Sequence, residues 1–201
     1  MILPIDFYLQ DDVVSIAKQL LGKVISTHIN GIRTSGMIVE TEAYKGITDK
    51  ASHAYMGRKT KRTAPMFEQG GIAYVYLCYG IHSLFNVVTN IKDVPHAILI
   101  RAIEPLEGIE FMLERSGQSA LKPSITAGPG VLSEALGITS IHSGESLLGK
   151  TISIEDRNVI IEPNSIVSTT RVGVAYAAED ALLPYRFYLS GNRYVSKGKG
   201  L

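Results

Sequence analysis

Gly36-Met-Ile-Val-Glu-Thr-Glu42, followed at once by Ala43 and Tyr44, reads as a β-strand that carries two carboxylates. Side chains two apart on a strand point the same way, so Glu40 and Glu42 share a face. Two like charges side by side have two readings. One is the solvated face of an edge strand; the other is an acid at a strand end, placed to act as a general base. The aromatic ring of Tyr44 next to the acid favours the second.

Working outward, Asp11 or Asp12 is placed to cap a helix bearing Val13, Ile16, Ala17, Leu20 and Leu21 at helical spacing. Residues 47–70 read as a loop holding Gly57, Pro65 and Gly70. Beyond it, Ile72–Tyr79 and Ser83–Val88 read as strands rich in aromatic and branched residues. Ala97–Ile103 is apolar enough to be a central strand. Pro105 is placed to start a helix over Leu106–Arg115, and Gly128-Pro-Gly a second one running to Leu136. Short strands are expected at 150–154, 158–161, 171–175 and 185–190. The pattern is α+β with a mostly antiparallel sheet in a single domain, 1–201; it lacks the regular alternation of a doubly wound fold.

The 201 residues are 45% hydrophobic and 19% charged, which suits one folded core and excludes a disordered chain. The net charge of +1 is silent about nucleic acid, so a DNA-binding reading must rest on a local patch. Arg58, Lys59, Lys61 and Arg62 supply one, four basic residues in five. Either the loop is simply solvated or it contacts phosphates. Cys78 is the single cysteine, so no internal disulfide and no cysteine-based zinc site can form. The five histidines show no metal spacing, and His53 alone lies between the acid and the basic cluster. The start Met1-Ile-Leu-Pro-Ile-Asp6 does not read as a secretory signal, and no run is long enough for a membrane span. The expectation is a monomer in a reducing compartment: cytoplasm for a bacterial chain, nucleus for a eukaryotic one.

Three tyrosines, 74, 76 and 79, fall within six positions in a chain that has ten tyrosines and no tryptophan. They form either a tyrosine-rich core strand or a platform on which nucleobases stack. The segment Ala127-Gly-Pro-Gly-Val131 offers backbone N–H groups to a phosphate but lacks the Lys-Ser/Thr ending of a P-loop.

The run Ile38-Val-Glu-Thr-Glu-Ala-Tyr-Lys-Gly46, then Asp49 and Ala51-Ser-His53, resembles the signature of the alkyladenine (3-methyladenine) DNA glycosylase family. The resemblance continues through Gly57-Arg58, Met66-Phe67, Tyr74-Val-Tyr76, Tyr79-Gly80, Asn86 and Leu99–Gly108, then Gly128-Pro129, Thr170–Gly173, Arg186–Tyr188 and Gly191. It implies a curved antiparallel sheet flanked by helices and an enzyme that flips damaged purines out of duplex DNA. Alkylated or deaminated bases are the implied substrates: 3-methyladenine, 7-methylguanine, hypoxanthine and etheno-adenine. Hydrolysis by an activated water would leave an abasic site, with no cofactor and no metal.

Residue by residue, Glu42 matches the family's general base and Arg101 a residue near the catalytic water. Tyr44, His53 and Tyr76 match the walls that sandwich the base. Asn86 matches the position that disfavours a guanine amino group, and Tyr79 the wedge left in the duplex. Two departures stand out. Val131 replaces a lysine often found in the family, and Thr63-Ala64 stand where a second arginine often follows Arg62. Lys197 and Lys199 are then candidates for supplying phosphate grip. Two other readings remain open on residues alone: Glu40 and Glu42 as a carboxylate pair acting on a sugar polymer or holding a metal, and a non-catalytic module that binds a splayed base.

Overall fold

A computed structural model describes residues 1–198 and 200, so Lys199 lies outside the described residues. Two long strands form the spine: β2 (Ile32–Tyr44) and β5 (His96–Glu107), paired antiparallel. On one side of β5 come β4 (His82–Thr89) and then β3 (Ala73–Cys78). The far edge of β2 is shared. Its first half pairs with β1 (Val24–Ile29), which pairs with β6 (Ile152–Glu155). Its second half, Glu40–Glu42, pairs with β8 (Arg186–Leu189), which pairs with β7 (Ile166–Thr169). All pairings are antiparallel in this single eight-stranded sheet, as an α+β reading requires.

The strands alternate between two buried faces. Val39, Ala43, Ala73, Val75, Phe85, Val87, Ile98 and Ile100 point to the main core. The helices α2 (Val13–Gln19), α3 (Ile109–Ser116) and α4 (Pro129–Leu136) bring Ile16, Met112, Leu132 and Leu136 to the same core. A one-turn helix α1 (Ile5–Tyr8) precedes them. Asp12 caps α2, its side chain accepting from the Val14 N–H at 3.0 Å. The opposite face is covered by loops. Met66 and Phe67 of one loop pack on Tyr74, Val88 and Ala97; Val174, Ala177 and Ala181 of another pack with Ala51 against Tyr44.

Several expectations need correction. Pro105 starts no helix: it lies within β5, opposite Gly36, where the register shifts and the ladder is already interrupted. Proline survives in strands at such breaks, because no ladder bond is lost. The helix begins four residues later, after Gly108, whose φ of 70° ends the strand. Residues 158–161 are not a strand: Ile160 is 84% exposed, and only Ile161 of the run packs against the core. Residues 171–175 are a turn leading into a 3-10 segment, Ala175–Leu182. Strands β1 and β7 were not anticipated. Among the described residues no helix is long and apolar enough to cross a membrane.

Candidate active site

The register sets Tyr74, Asn86, Leu99, Glu42 and Arg186 in one row across five strands. Strands lie about 4.8 Å apart, so Asn86 and Glu42, separated by one strand, are about 10 Å apart along that row. That is the reach from a nucleobase edge to its sugar.

Two bulges aim the charges. Between Ile38 and Thr41, β2 carries Val39 as an extra residue, and between Ile100 and Ala102, β5 carries Arg101. A bulged residue escapes the ladder and its side chain is redirected, a common device beside active sites. Arg101 thereby turns onto both carboxylates: its Nε donates to Glu40 Oε1 at 2.9 Å, and its Nη1 lies 3.3 Å from Glu42 Oε1. Burial disfavours its charge, but Glu42 and Glu40 prevail and raise its pKa.

Glu40 and Glu42 do share a face, yet neither is solvated: both are fully buried. Their partners differ. Glu40 also accepts from Arg186 Nε at 2.7 Å, the Ser196 N–H at 2.7 Å and the Ser196 hydroxyl at 3.0 Å. Its two oxygens are thus occupied by four donor contacts. Glu42 accepts from the Tyr44 hydroxyl at 2.8 Å on Oε2 and from the Val172 N–H at 2.8 Å on Oε1. These bonds leave lone pairs of Glu42 unused, and the Tyr44 ring is part of a cavity wall.

That cavity is a narrow slot of about 40 Å³ lined by Tyr44, Ala51, His53, Met66, Tyr74, Tyr76, Asn86, Ala97 and Tyr176. It is a slot because aromatic rings flank it. His53 and Tyr76 meet edge to face with centroids 4.7 Å apart, and His53 Nδ1 hydrogen-bonds the Tyr74 hydroxyl at 2.9 Å. Burial, with Arg62 nearby, lowers the His53 pKa to about 4, so the ring is neutral at neutral pH. Burial raises Tyr76 and, with the charge of Glu42, Tyr44, so both keep their protons. Asn86 is buried with its amide N–H₂ spent on the Tyr74 and Leu84 carbonyls, at 3.1 and 3.2 Å. Its side-chain oxygen is left as an acceptor.

The slot shares His53 and Tyr176 with a groove of about 840 Å³ that Arg58, Lys50 and Arg62 also line. The Arg62 guanidinium lies 4.8 Å from the centre of the Tyr76 ring. The rest of the basic cluster does not line the groove. Lys59 pairs with Asp93 at 3.5 Å and lies over Phe67, while Lys61 is exposed. Tyr79 is separate: it tips the β3–β4 hairpin, 92% exposed, with φ of 52°. Beside it opens a cleft of about 740 Å³ lined by the Gly128–Val131 turn and by Lys122, Arg193 and Lys197. These three cations border the place where Val131 lacks a lysine's charge.

So the structure brings Glu42, Tyr44, His53, Tyr76, Asn86 and Arg101 together and leaves Tyr79 and the basic loop at the rim. Sequence reading missed Tyr176, which lines the slot and donates to the Ala51 carbonyl at 3.1 Å, and Arg186 on Glu40. It also missed Arg171, fully buried and bidentate on Asp49. A lone arginine among apolar neighbours in Thr170-Arg-Val-Gly-Val174 was the available signal.

Known proteins carry the same pattern. The family described as methylpurine-DNA glycosylase (MPG) matches residues 6–193. A Chlamydia abortus protein is 50% identical over 93% of this chain and 97% of its own length. One from Chlamydia felis is 48% identical over 94% and 96%, and one from Clostridium perfringens strain 13 is 42% identical over 96% and 97%. Each of the three is named "Putative 3-methyladenine DNA glycosylase". With a buried acid beside an aromatic slot, and near full-length similarity, the chain belongs to the methylpurine-DNA glycosylase family.

Proposed function

We propose that this DNA glycosylase takes an alkylated or deaminated purine, flipped from duplex DNA, into the slot and hydrolyses its N-glycosidic bond with a water activated by Glu42. The observation that carries the reading is the placement of Glu42. A fully buried carboxylate stands about two strand spacings from Asn86 and accepts from the hydroxyl of Tyr44, whose ring is one wall of the slot.

A purine within the stack cannot offer its sugar carbon C1′ to water, so the nucleotide must leave the helix. Tyr79, exposed at a hairpin tip, is shaped to enter the gap and replace lost stacking. Arg58 and Arg62 line the groove that leads to the slot and would hold the strand's phosphates. In the slot the base stacks on Tyr76, His53 and Tyr44. Its Asn86 edge has a carbonyl oxygen left to accept, and that edge sorts the lesions: 3-methyladenine, 7-methylguanine, hypoxanthine and etheno-adenine. As the glycosidic bond breaks, positive charge builds on the sugar. Ionised Glu42 stabilises it and takes the proton of the attacking water, while the base leaves with the bonding electron pair. The Arg101 guanidinium, 3.3 Å from Glu42 Oε1, pairs with its negative charge. The product is an abasic site without strand cleavage. Among the described residues no lysine lines the slot, and the side chain of Lys45 is exposed, which speaks against an imine route. Slot, acid and hairpin all come from one chain, which suits a monomer.

The carboxylate-pair reading loses support from Glu40. A glycosidase acid must reach the leaving-group oxygen, and both oxygens of Glu40 are already taken by four donor contacts from two arginines and Ser196. The test is incubation with duplexes bearing hypoxanthine, etheno-adenine or 7-methylguanine, followed by hot alkali. Breaks at the lesion that appear only after alkali are the expected result. Breaks without alkali, or none with any lesion, would overturn it.

A further inference from the structure

Arg171 is the bulkiest fully buried side chain among the described residues, and it belongs to neither the slot nor the charge cluster around Glu40. Its Nη1 and Nη2 grip the two carboxylate oxygens of Asp49. The same nitrogens donate to the Ala43 carbonyl at 2.9 Å and the Asp180 carbonyl at 3.0 Å. Its guanidinium lies 4.8 Å from the centre of the Tyr44 ring and 5.4 Å from that of Tyr185. Asp49 in turn accepts from the Lys45 N–H at 3.1 Å and the Ala51 N–H at 2.9 Å. One side chain thus ties the end of β2, the 45–51 loop, the 3-10 segment and the strand entering β8.

What those ties converge on is the acid. Ala43 lies between Glu42 and Tyr44. The residue after Arg171 supplies the N–H that binds Glu42 Oε1, and the ring against which Arg171 stacks supplies the hydroxyl that binds Glu42 Oε2. Both hydrogen bonds that orient the Glu42 carboxylate therefore hang on Arg171, which neither bonds that carboxylate nor lines the slot itself. A buried ion pair is costly unless its geometry is fixed and most of its donors are met; here Nη1 and Nη2 are fully used, while the buried Nε has no partner among the described residues. A simple hydrophobic filler would join these segments as well but would set no angle. The bidentate fork and its two carbonyl bonds set one.

We infer that Arg171, braced by Asp49, is a positioning residue that fixes the reactive orientation of Glu42 and Tyr44. The inference rests on Glu42 acting as the base. Misplacing a reacting group by about 1 Å costs about 10²-fold in rate, and losing donors to an ionised carboxylate raises its pKa.

Arg171→Lys keeps the charge but not the fork. With enzyme in excess over a hypoxanthine duplex, it is expected to slow excision about 10²-fold. Lesion-duplex affinity, read with the same probe, should stay within about threefold, since the loss lies in the chemical step. The acidic limb of the pH–rate profile should move to higher pH. A filler role predicts otherwise: folded fraction and rate fall together, and the limb stays where it is. An excision rate within about threefold of wild type, or an unmoved limb, overturns the inference. If Arg171→Lys does not fold, Asp49→Asn, which keeps the shape and loosens the same fork, must show the shifted limb; if that variant fails to fold too, Arg171 is structural and the inference falls. Glu42→Gln in the same assay separates the two readings, because its loss of excision stands whatever Arg171 does.

Discussion

The two faces of this sheet use the same strands for opposite ends. On the helix side, Ile98, Ile100, Phe85 and Leu132 interlock as an aliphatic and aromatic core with no charge in it. On the loop side, one residue along each strand, the fold buries Glu40, Glu42, Arg101, Arg171 and Arg186. The first face draws stability from removing apolar area from water. The second spends part of it, since every buried ion must be matched by an opposite charge and by hydrogen bonds. Within that second face the two glutamates diverge again. Glu40 is enclosed by donors and holds the site together; Glu42 is oriented but unsaturated, and so is free to react.

The contrast breaks most sharply at Glu42. Replacing it with Gln keeps the shape and should lower single-turnover excision by about 10³-fold, within the range of lost general-base catalysis. Lesion-duplex binding should persist in a gel-shift titration. Next comes Glu40→Gln, which strands Arg101 and Arg186 beside a neutral amide. A stability loss of about 3–5 kcal/mol is expected by urea unfolding. If it instead kept full stability and lost only activity, the division between the two acids would fail.

On the helix side, Ile100→Ala should cost about 3 kcal/mol in the same measurement. The excision rate of the folded fraction should be unchanged. Tyr79→Ser should leave the unfolding curve in place and weaken lesion-duplex affinity about tenfold, the scale of one lost stacking contact. The smallest effect concerns pH. The folded pKa of His53 is lowered from 6.5 to about 4. Its stability contribution is therefore present above pH 6.5 and declines as the pH falls toward about 4, because the unfolded chain takes up the proton first. His53→Gln should flatten unfolding free energy over that interval; an unchanged slope would mean the ring is already protonated in the folded protein.

How much of this was legible depends on what each residue must do locally. The second half of β2, with β3, β4, α2 and β5 as far as Ile103, is written in alternation and capping and is legible in the sequence. The glycosylase motif pointed to the family, and Tyr44, His53, Tyr76 and Asn86, which it singled out, line one slot. Strand β1 escaped because Ser26 and Thr27, and Thr34 and Ser35 opposite them, are polar yet buried, so no alternation shows. Thr27 and Thr34 bond each other at 2.7 Å and reach the Leu136 carbonyl, partners that a linear reading cannot supply. Pro105 misled because its usual position at a helix start was weighed without the register break that tolerates it. The Val172 N–H was invisible in principle, since a backbone donor has no side-chain signature. The roles given to Tyr79 and the basic loop rest on the family resemblance, and Tyr79→Ser tests the first of them.

The sharing of β2 has a consequence for time rather than for energy. From Glu40 to Glu42 this strand is laddered on both edges, to β5 and to β8, whereas the hairpin bearing Tyr79 ends in a free turn. Amides in a doubly laddered strand exchange with solvent only when large parts of the sheet open together, while a hairpin tip frays alone and quickly. The hairpin tip can therefore change its position many times while Glu42 keeps one fixed posture.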